Sequence, residues 1–313
     1  MEKGISVIMV NHNGEELIKK YLPKVVKSLK AVKKYKWELL FFDNGSTDNS
    51  IRIVHDICHE ARVLDSPSNL GFSISNNITS RFARYEYLLF LNNDIEPNPD
   101  FLNPLIERIE DKKVFAVAPR MYRFDQQLDD GIRHAEFRTG LLTPVLHVSK
   151  SLEDKSDFTT FFCGGAVLLK KDIFNELGGF DVLFNPYSWE DLDLAYRAWK
   201  RGYEVIYEPR SVVYHHREGT ARKVYSPTYR KMIVWRNRFL FMWKNLSFYP
   251  WIAEHIVFLP IKLIKFLFTG RGAYVLGFFW ALNRLPQLFL VRWREHKFNK
   301  RSDKDIFNLM RVS

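Results

Sequence analysis

The first hundred residues alternate between short apolar runs and longer stretches of mixed polarity. Ile5-Ser-Val-Ile-Met-Val10 is short and rich in β-branched residues, which predicts a buried strand. Gly14 to Val32 predicts a helix, with Glu15 and Glu16 in its first turn, lysines later and Pro23 as a potential kink. Trp37–Phe42 predicts a second strand, followed by a helix to His59 with Ser46 or Thr47 as its cap. Arg62–Leu64 and Tyr87–Leu91 predict a third and a fourth strand, with a helix between them opening at Asn69–Phe72 and running to about Phe82. Strands alternating with helices predict an α/β fold with a mostly parallel sheet.

Each of these strands ends in Asn, Asp and Gly: Asn11-His-Asn-Gly14, Asp43-Asn-Gly-Ser-Thr-Asp48, Asn69-Leu-Gly71 and Asn92-Asn-Asp94. Any one cluster reads as ordinary turn chemistry. Four consecutive ones point to a ligand crevice, because open α/β sheets bind ligands beyond the carboxyl ends of their strands.

Beyond residue 114 the pattern loosens. Val114–Ala118 and Phe158–Leu169 predict strands, separated by polar loops that include Asp129-Asp-Gly131 and Lys150–Asp157. Ile173–Leu177 predicts a short helix closed by Gly178-Gly179. Glu190–Lys200 predicts another, and Tyr203–Tyr207 and Ser211–Tyr214 are extended. Trp189-Glu-Asp-Leu-Asp193 sets three carboxylates at a helix start. They can cap the helix, or one can serve as a general base, and Asp193 is the structural candidate. Tyr214-His-His216 offers imidazole, a common metal ligand as well as ordinary structure.

These motifs occur in one order: Val10-Asn-His-Asn-Gly14, Asp43–Asp48, Asn69–Phe72 with Asn76-Asn77, Asn92–Asp94, Gly178-Gly-Phe-Asp181, Trp189–Asp191 and Val213-Tyr-His215. As a set they resemble an inverting family 2 glycosyltransferase of GT-A fold, in its rhamnosyltransferase-like branch, over roughly residues 4–245. The resemblance implies a donor nucleotide-sugar site of Asn11, Asn13, Asp43, Ser46, Asp48, Asn69, Gly71, Asn77, Asn92, Asn93 and Asp94. It implies Asp191 as catalytic base with Glu190 beside it. Gly165, Trp189 and Arg236 would face the acceptor. Asp94 and His215 would hold Mn2+ or Mg2+, with His216 the lesser alternative. Asn92 stands where many relatives have Asp, so the ion would arrive with its nucleotide sugar.

Charge then divides the chain. The net charge is +11, yet residues 211–313 carry 19 Lys+Arg and 5 Asp+Glu while residues 1–210 sit at −3. This predicts a GT-A domain over 1–225 and a basic, aromatic-rich helical region over 226–313. Trp251–Phe268 predicts an amphipathic helix, with Lys262 and Lys265 opposite Ile261, Ile264, Leu267 and Phe268. Ala273–Val291 is long enough for a span, but Asn283, Arg284 and Pro286 at its middle favour interfacial or re-entrant helices. The expected partners are a dTDP- or UDP-sugar, a polyprenyl-diphosphate-linked saccharide and an anionic membrane surface, with a dimer through the C-terminal region left open.

Nothing resembles a nucleic-acid-binding motif. Cys58 and Cys163 exclude a disulfide scaffold and fit a reducing compartment. No secretory signal is visible, so the expected location is the cytoplasmic face of the cell membrane. A processive polysaccharide synthase is the alternative, but Gln287 and Arg292-Trp293 lack the Gln-x-x-Arg-Trp spacing. A catalytically inactive membrane-associated scaffold is the other. The expected activity is transfer of one hexose, favoured as rhamnose from dTDP-rhamnose, in cell-surface and cell-wall polysaccharide synthesis.

Overall fold

The computed structural model describes residues 2–146, 155–216 and 224–310. Part of the polar stretch Lys150–Asp157 lies outside them. The N-terminal half builds four parallel strands: β1 (Glu2–Asn11), β2 (Lys36–Asn44), β3 (Arg62–Ser66) and β4 (Tyr85–Leu91). Helices α1 (Glu15–Ala31), α2 (Ser50–Ile57) and α3 (Phe72–Arg81) connect them. The apolar runs are continuous because both faces of the sheet are covered. Ile5, Val7 and Met9 enter one core while Ile8 enters the other. Leu39 and Phe41 oppose Leu40 in the same way, as Leu89 and Leu91 oppose Leu88 and Phe90.

The next elements are β5 (Ile95–Pro97), α4 (Leu102–Ile109), β6 (Val114–Arg123), β7 (Leu128–Asp130), β8 (Arg133–Arg138), β9 (Leu141–Leu146), β10 (Asp157–Phe158) and β11 (Ala166–Lys170). Then come α5 (Lys171–Glu176), α6 (Glu190–Lys200) and β12 (Glu204–His215). Among the described residues the main sheet has ten strands, in the order β10-β12-β6-β11-β4-β1-β2-β3, with β5 on β12 and β7 on β6. It is mixed: β11 runs antiparallel between β4 and β6, and β12 pairs parallel with β6. This is the expected GT-A type of α/β architecture.

Several local expectations change. Phe158–Leu169 is not one strand, because the chain leaves the sheet after Phe158 and re-enters it at Ala166. Neither Ser46 nor Thr47 caps α2. That helix starts at Ser50, whose N–H donates to Asp48. The segment 133–146 forms a β8–β9 hairpin rather than a loop, turning at Thr139 and Gly140 (φ 47° and 71°) as a two-residue hairpin with both φ positive requires.

The C-terminal helices are α7 (Pro227–Asn245), α8 (Tyr249–Phe268), α9 (Gly272–Leu282), α10 (Leu285–His296) and α11 (Asp303–Leu309). The run Ala273–Val291 thus divides into α9 and α10, bent by 68°. Phe239, Leu240 and Phe241 of α7 enter the same core as Leu88 and Phe90 of β4. Asp193 fastens this junction. It is fully buried and accepts from Arg197 (2.7 Å), Lys244 (2.8 Å) and Asn245 (2.8 Å). Asp303 does the same for α11, accepting from Tyr196 (2.7 Å) and the backbone N–H groups of Ser247 and Phe248.

Removing the Asp193 carboxylate would leave Arg197 and Lys244 buried with one partner fewer. Asp193→Ala is expected to cost about 3–5 kcal/mol in a urea titration. A loss below about 1 kcal/mol, the scale of an exposed pair, would show that the junction does not depend on it.

Candidate active site

A cleft of about 360 Å3 opens at the carboxyl ends of β1, β2 and β4. Its wall includes Asn11, Asn44, Asn69, Gly71, Asn92, Asn93, Asp94, Gly165, Glu190, Asp191 and His215. The strand-end clusters do converge, and they do so by bonding to one another. Asn11 donates to Asp43 (3.3 Å) and Ser46 (3.2 Å) and accepts from Asn93 (2.6 Å). Asn69 accepts from Asn44 (3.0 Å) and from the N–H of Gly71 (2.9 Å). Gly71 has φ +84°, and a Cβ there would lie 2.3 Å from Oδ1 of Asn185, so the close approach of these loops requires glycine.

Other expected donor residues lie outside the cleft wall. Asn13 accepts from Thr47 N–H (2.8 Å), and Asp48 accepts from the N–H groups of Glu15 and Ser50 at two helix starts. Asp43 accepts from Ser46 N–H (2.9 Å), so this carboxylate and Ser46 shape the β2 loop behind the wall. Asn77 forms a two-way pair with the backbone of Phe180 (2.7 and 2.9 Å).

The base candidate is held at the start of α6. Asp191 Oδ2 accepts from Gly164 N–H and Oδ1 from Leu192 N–H, both at 2.9 Å. Burial raises its pKa, opposed by those two N–H groups and by Arg133. Glu190 is 5% exposed, and burial together with the charge of Asp191 pushes its pKa up to about 8. At neutral pH Glu190 therefore holds its proton, while the two N–H groups that donate to Asp191 favour its ionised form.

The turn before α6 is strained. Ser188 and Trp189 adopt φ 77° and 76°, unusual for residues with a Cβ. Asn237 of α7 steadies it, donating to the carbonyls of Phe184 (2.8 Å), Tyr187 (3.0 Å) and Ser188 (2.7 Å). Arg236, expected on the acceptor side, is 1% exposed and donates to Asn185 O (2.6 Å) while lying over Trp280. Trp189 is also buried, against Phe241. Neither side chain lines the cleft, because each anchors the turn from inside.

Asp94 and His215 come together as expected. Nε2 of His215 lies 3.5 Å from Oδ2 of Asp94, and its Nδ1 is 2.9 Å from Oδ2 of Asp129. Burial opposes charge on this imidazole, but the two carboxylates outweigh it and raise the pKa to about 9. A separation of 3.5 Å suits two ligands of one divalent ion, with the other nitrogen oriented by a carboxylate. Asp129 lies on the far side of the ring and does not join them. Among the described residues no group of three or more His, Cys, Asp and Glu side chains could hold a metal. Two protein ligands fit an ion otherwise coordinated by substrate phosphates and water. His216 instead stacks on Tyr21 and contacts Glu96.

Sequence reading missed Asp129, Asp130 and Arg133, since all three lie in what read as loop. Arg133 pairs with Asp130, and its charge acts on Asp191. It also missed Tyr187 and Tyr225, which line the cleft but carry no motif.

The model of glycosyl transferase family 2 matches residues 6–178, more than half of the chain. The rhamnosyltransferase WbbL of Escherichia coli (strain K12) is 25% identical over 243 residues, covering 72% of this chain and 88% of the relative. The hyaluronan synthase of Pasteurella multocida is 25% identical over 229 residues, covering 64% of this chain but only 23% of the relative's length. Among solved structures, GalNAc-T7 with UDP, GalNAc and Mn2+ has a TM-score of 0.62 at 17% identity, covering 79% of this chain and 49% of that one. At that identity the likeness is one of fold, which is GT-A.

The raised pKa of Glu190 has a consequence for stability. The folded chain holds this proton more tightly than the unfolded one. The contribution is full below about pH 4.5 and is lost as pH rises through about 8. Glu190→Gln cannot ionise, so its melting temperature should exceed that of the parent at pH 8.5 and the gap should close toward pH 4.5. A gap independent of pH would remove the assigned ionisation.

Proposed function

The chain belongs to glycosyl transferase family 2, and from that premise we propose that it moves one sugar from a nucleoside-diphosphate sugar to a hydroxyl of a saccharide acceptor, with inversion. Rhamnose from dTDP-rhamnose is the favoured donor, supported by the resemblance to the rhamnosyltransferase WbbL. The observation that carries the reading is that Asp191 and the Asp94–His215 pair line one cleft.

Both oxygens of Asp191 are fixed by backbone N–H groups, which leaves lone pairs for an acceptor hydroxyl. Asp191 removes the hydroxyl proton as that oxygen attacks the anomeric carbon. The bond from that carbon to the diphosphate oxygen breaks, and the nucleoside diphosphate leaves with the electron pair. A single displacement inverts the centre. Asp94 and His215 would hold Mn2+ or Mg2+, whose charge, when bound, offsets that of the departing diphosphate. The solved GalNAc-T7 complex with UDP and Mn2+ supports this.

A membrane-linked acceptor is supported by the C-terminal helices. Ile256, Ile264, Leu267 and Phe268 of α8 and Phe289 and Trp293 of α10 are more than half exposed. Lys265, Arg271, Arg294 and Lys297 are exposed among them. An apolar cleft of about 580 Å3 opens beside them, lined by Trp243, Trp251, Ile256, Phe278 and Phe289. No single described helix is long and apolar enough to cross a membrane, though the bent α9–α10 pair passes that test together. Apolar side chains with interspersed cations suit the interface of an anionic bilayer. In this reading the acceptor saccharide is carried on a polyprenyl diphosphate and met at the inner face of the cell membrane.

In a panel of nucleotide sugars, one donor should yield a product one sugar heavier, and chelation should abolish transfer until Mn2+ or Mg2+ is restored. Asp191→Asn should lower kcat by about 10^2 to 10^4 with nucleotide binding intact. Near-normal transfer by that variant would exclude Asp191 as base, and a polymer product would favour a processive enzyme. In flotation, the full chain should rise with vesicles of mixed neutral and anionic lipid. Equal flotation of a Phe268→Asp, Trp293→Asp double variant would exclude this surface.

A further inference from the structure

The two sides of the cleft differ in how far their polar groups are satisfied. On the donor side Asn11, Asp43, Ser46 and Asn93 bond to one another, and Asn69 pairs with Asn44. In the cleft wall beside the base, Tyr187 Oη and Glu190 Oε2 are buried with no hydrogen-bond partner among the described residues, and so are Asn185 Oδ1, close to Gly71 of that wall, and Arg230 Nε, whose charge acts on Tyr187. Glu190 is 95% buried yet lines the cleft. Buried polar atoms are rarely left unpaired, so a cluster of them next to a reaction centre calls for a partner that arrives with a ligand.

A row of aromatic rings leads away from the same place. Tyr187 and Tyr225 both line the cleft and stack with centroids 5.6 Å apart and planes at 21°. Tyr225 stacks on Tyr229 at 5.2 Å and 30°, and Tyr229 meets Trp280 of α9 at 5.5 Å. The two tyrosine pairs, at low angles, are offset stacks, which leave part of each ring uncovered, and Tyr229 and Trp280 are tilted at 48°. Tyr187, Tyr225, Tyr229 and Trp280 are all half-buried rather than enclosed.

We propose that Tyr187, Tyr225, Tyr229 and Trp280 form a binding track for an acceptor oligosaccharide, whose hydroxyls pair with Asn185, Tyr187, Glu190 and Arg230. Pyranose rings present flat C–H faces to aromatic rings and hydroxyls at their edges, and this surface offers both partners. The track runs from the turn that carries Asp191 to a C-terminal helix. It therefore feeds a chain of at least two sugars toward the base from the side where those helices lie. The assignment of the bound sugar as acceptor rests on the function proposed above. The saccharide site itself does not.

Saturation-transfer NMR with methyl α-L-rhamnoside, maltotriose and chitotriose tests it, with UDP and dTDP titrations reporting an intact fold. At least one saccharide should receive saturation on its ring C–H protons. Tyr229→Leu should weaken that saccharide at least fivefold, Tyr229→Trp should keep it, and Tyr187→Phe should weaken it through the lost hydroxyl. Nucleotide affinity should not change in any of them. Contact with none of the three saccharides, or parental binding by Tyr229→Leu and Tyr187→Phe with nucleotide affinity intact, would overturn the track. Saccharide binding by a chain inactive with every nucleotide sugar would keep the track and remove the transferase reading.

Discussion

The site depends on one buried amide. Asn237 is fully buried and gives its two N–H bonds to three carbonyls of the turn 184–188. Two residues with side chains, Ser188 and Trp189, sit in the left-handed region there, at a cost of about 1–2 kcal/mol each. Hydrogen bonds worth about 0.5–1.5 kcal/mol each offset that cost. Arg236 adds a bond to Asn185 O. The turn in turn fixes where α6 begins, and so where Glu190 and Asp191 stand. Geometry at the proposed base is therefore set from α7, about forty residues downstream.

This dependence explains why the C-terminal helices cannot be read as a detachable attachment to the cleft. Lys244 of α7 bonds Asp181 and Asp193, and Arg292 of α10 donates to the carbonyls of Trp243 and Lys244. Asp303 then ties α11 to α6 through Tyr196. Each contact satisfies a buried charge or carbonyl that would otherwise be costly. Buried pairs of this kind add little net stability, but breaking one partner leaves the other exposed to a severe penalty. They act as registers, fixing α6 against α7 and hence the proposed base against the turn.

Much of this was legible in the sequence. Continuous apolar runs mark strands covered on both faces, and Asn-Asp-Gly clusters at four strand ends mark the crevice. Asp94 and His215, 121 residues apart in the chain, meet because β5 pairs Ile95 with His215 on β12. The β8–β9 hairpin was not legible, since Arg133–Arg138 alternates weakly and its only signal is Thr139-Gly140. Nor was the direction of a side chain. Arg236 was expected to face the acceptor, but tertiary packing turns it inward onto carbonyls. Asn13 and Asp48 sit in the right loops and spend their oxygens on backbone N–H groups. Asp129 gives no local signal, because its partner His215 is 86 residues away.

The same inward turning changes what the basic tail means. A net of +14 over residues 211–313 invites the reading that the whole region is a cationic surface. Arg236 and Lys244 are 1% exposed, and Arg238 donates to Leu142 O, with burial lowering its pKa to about 10. These cations are internal fasteners and present little charge to a membrane. The charge that can attract an anionic surface is the smaller exposed set around α8 and α10, placed beside Ile264, Leu267, Phe268 and Trp293. In the proposed membrane docking its effect would be correspondingly local: apolar insertion would supply the hold, and the cations would select the sign of the surface. The tail is thus divided by burial, with one part of its charge supporting the candidate active site and the other facing outward.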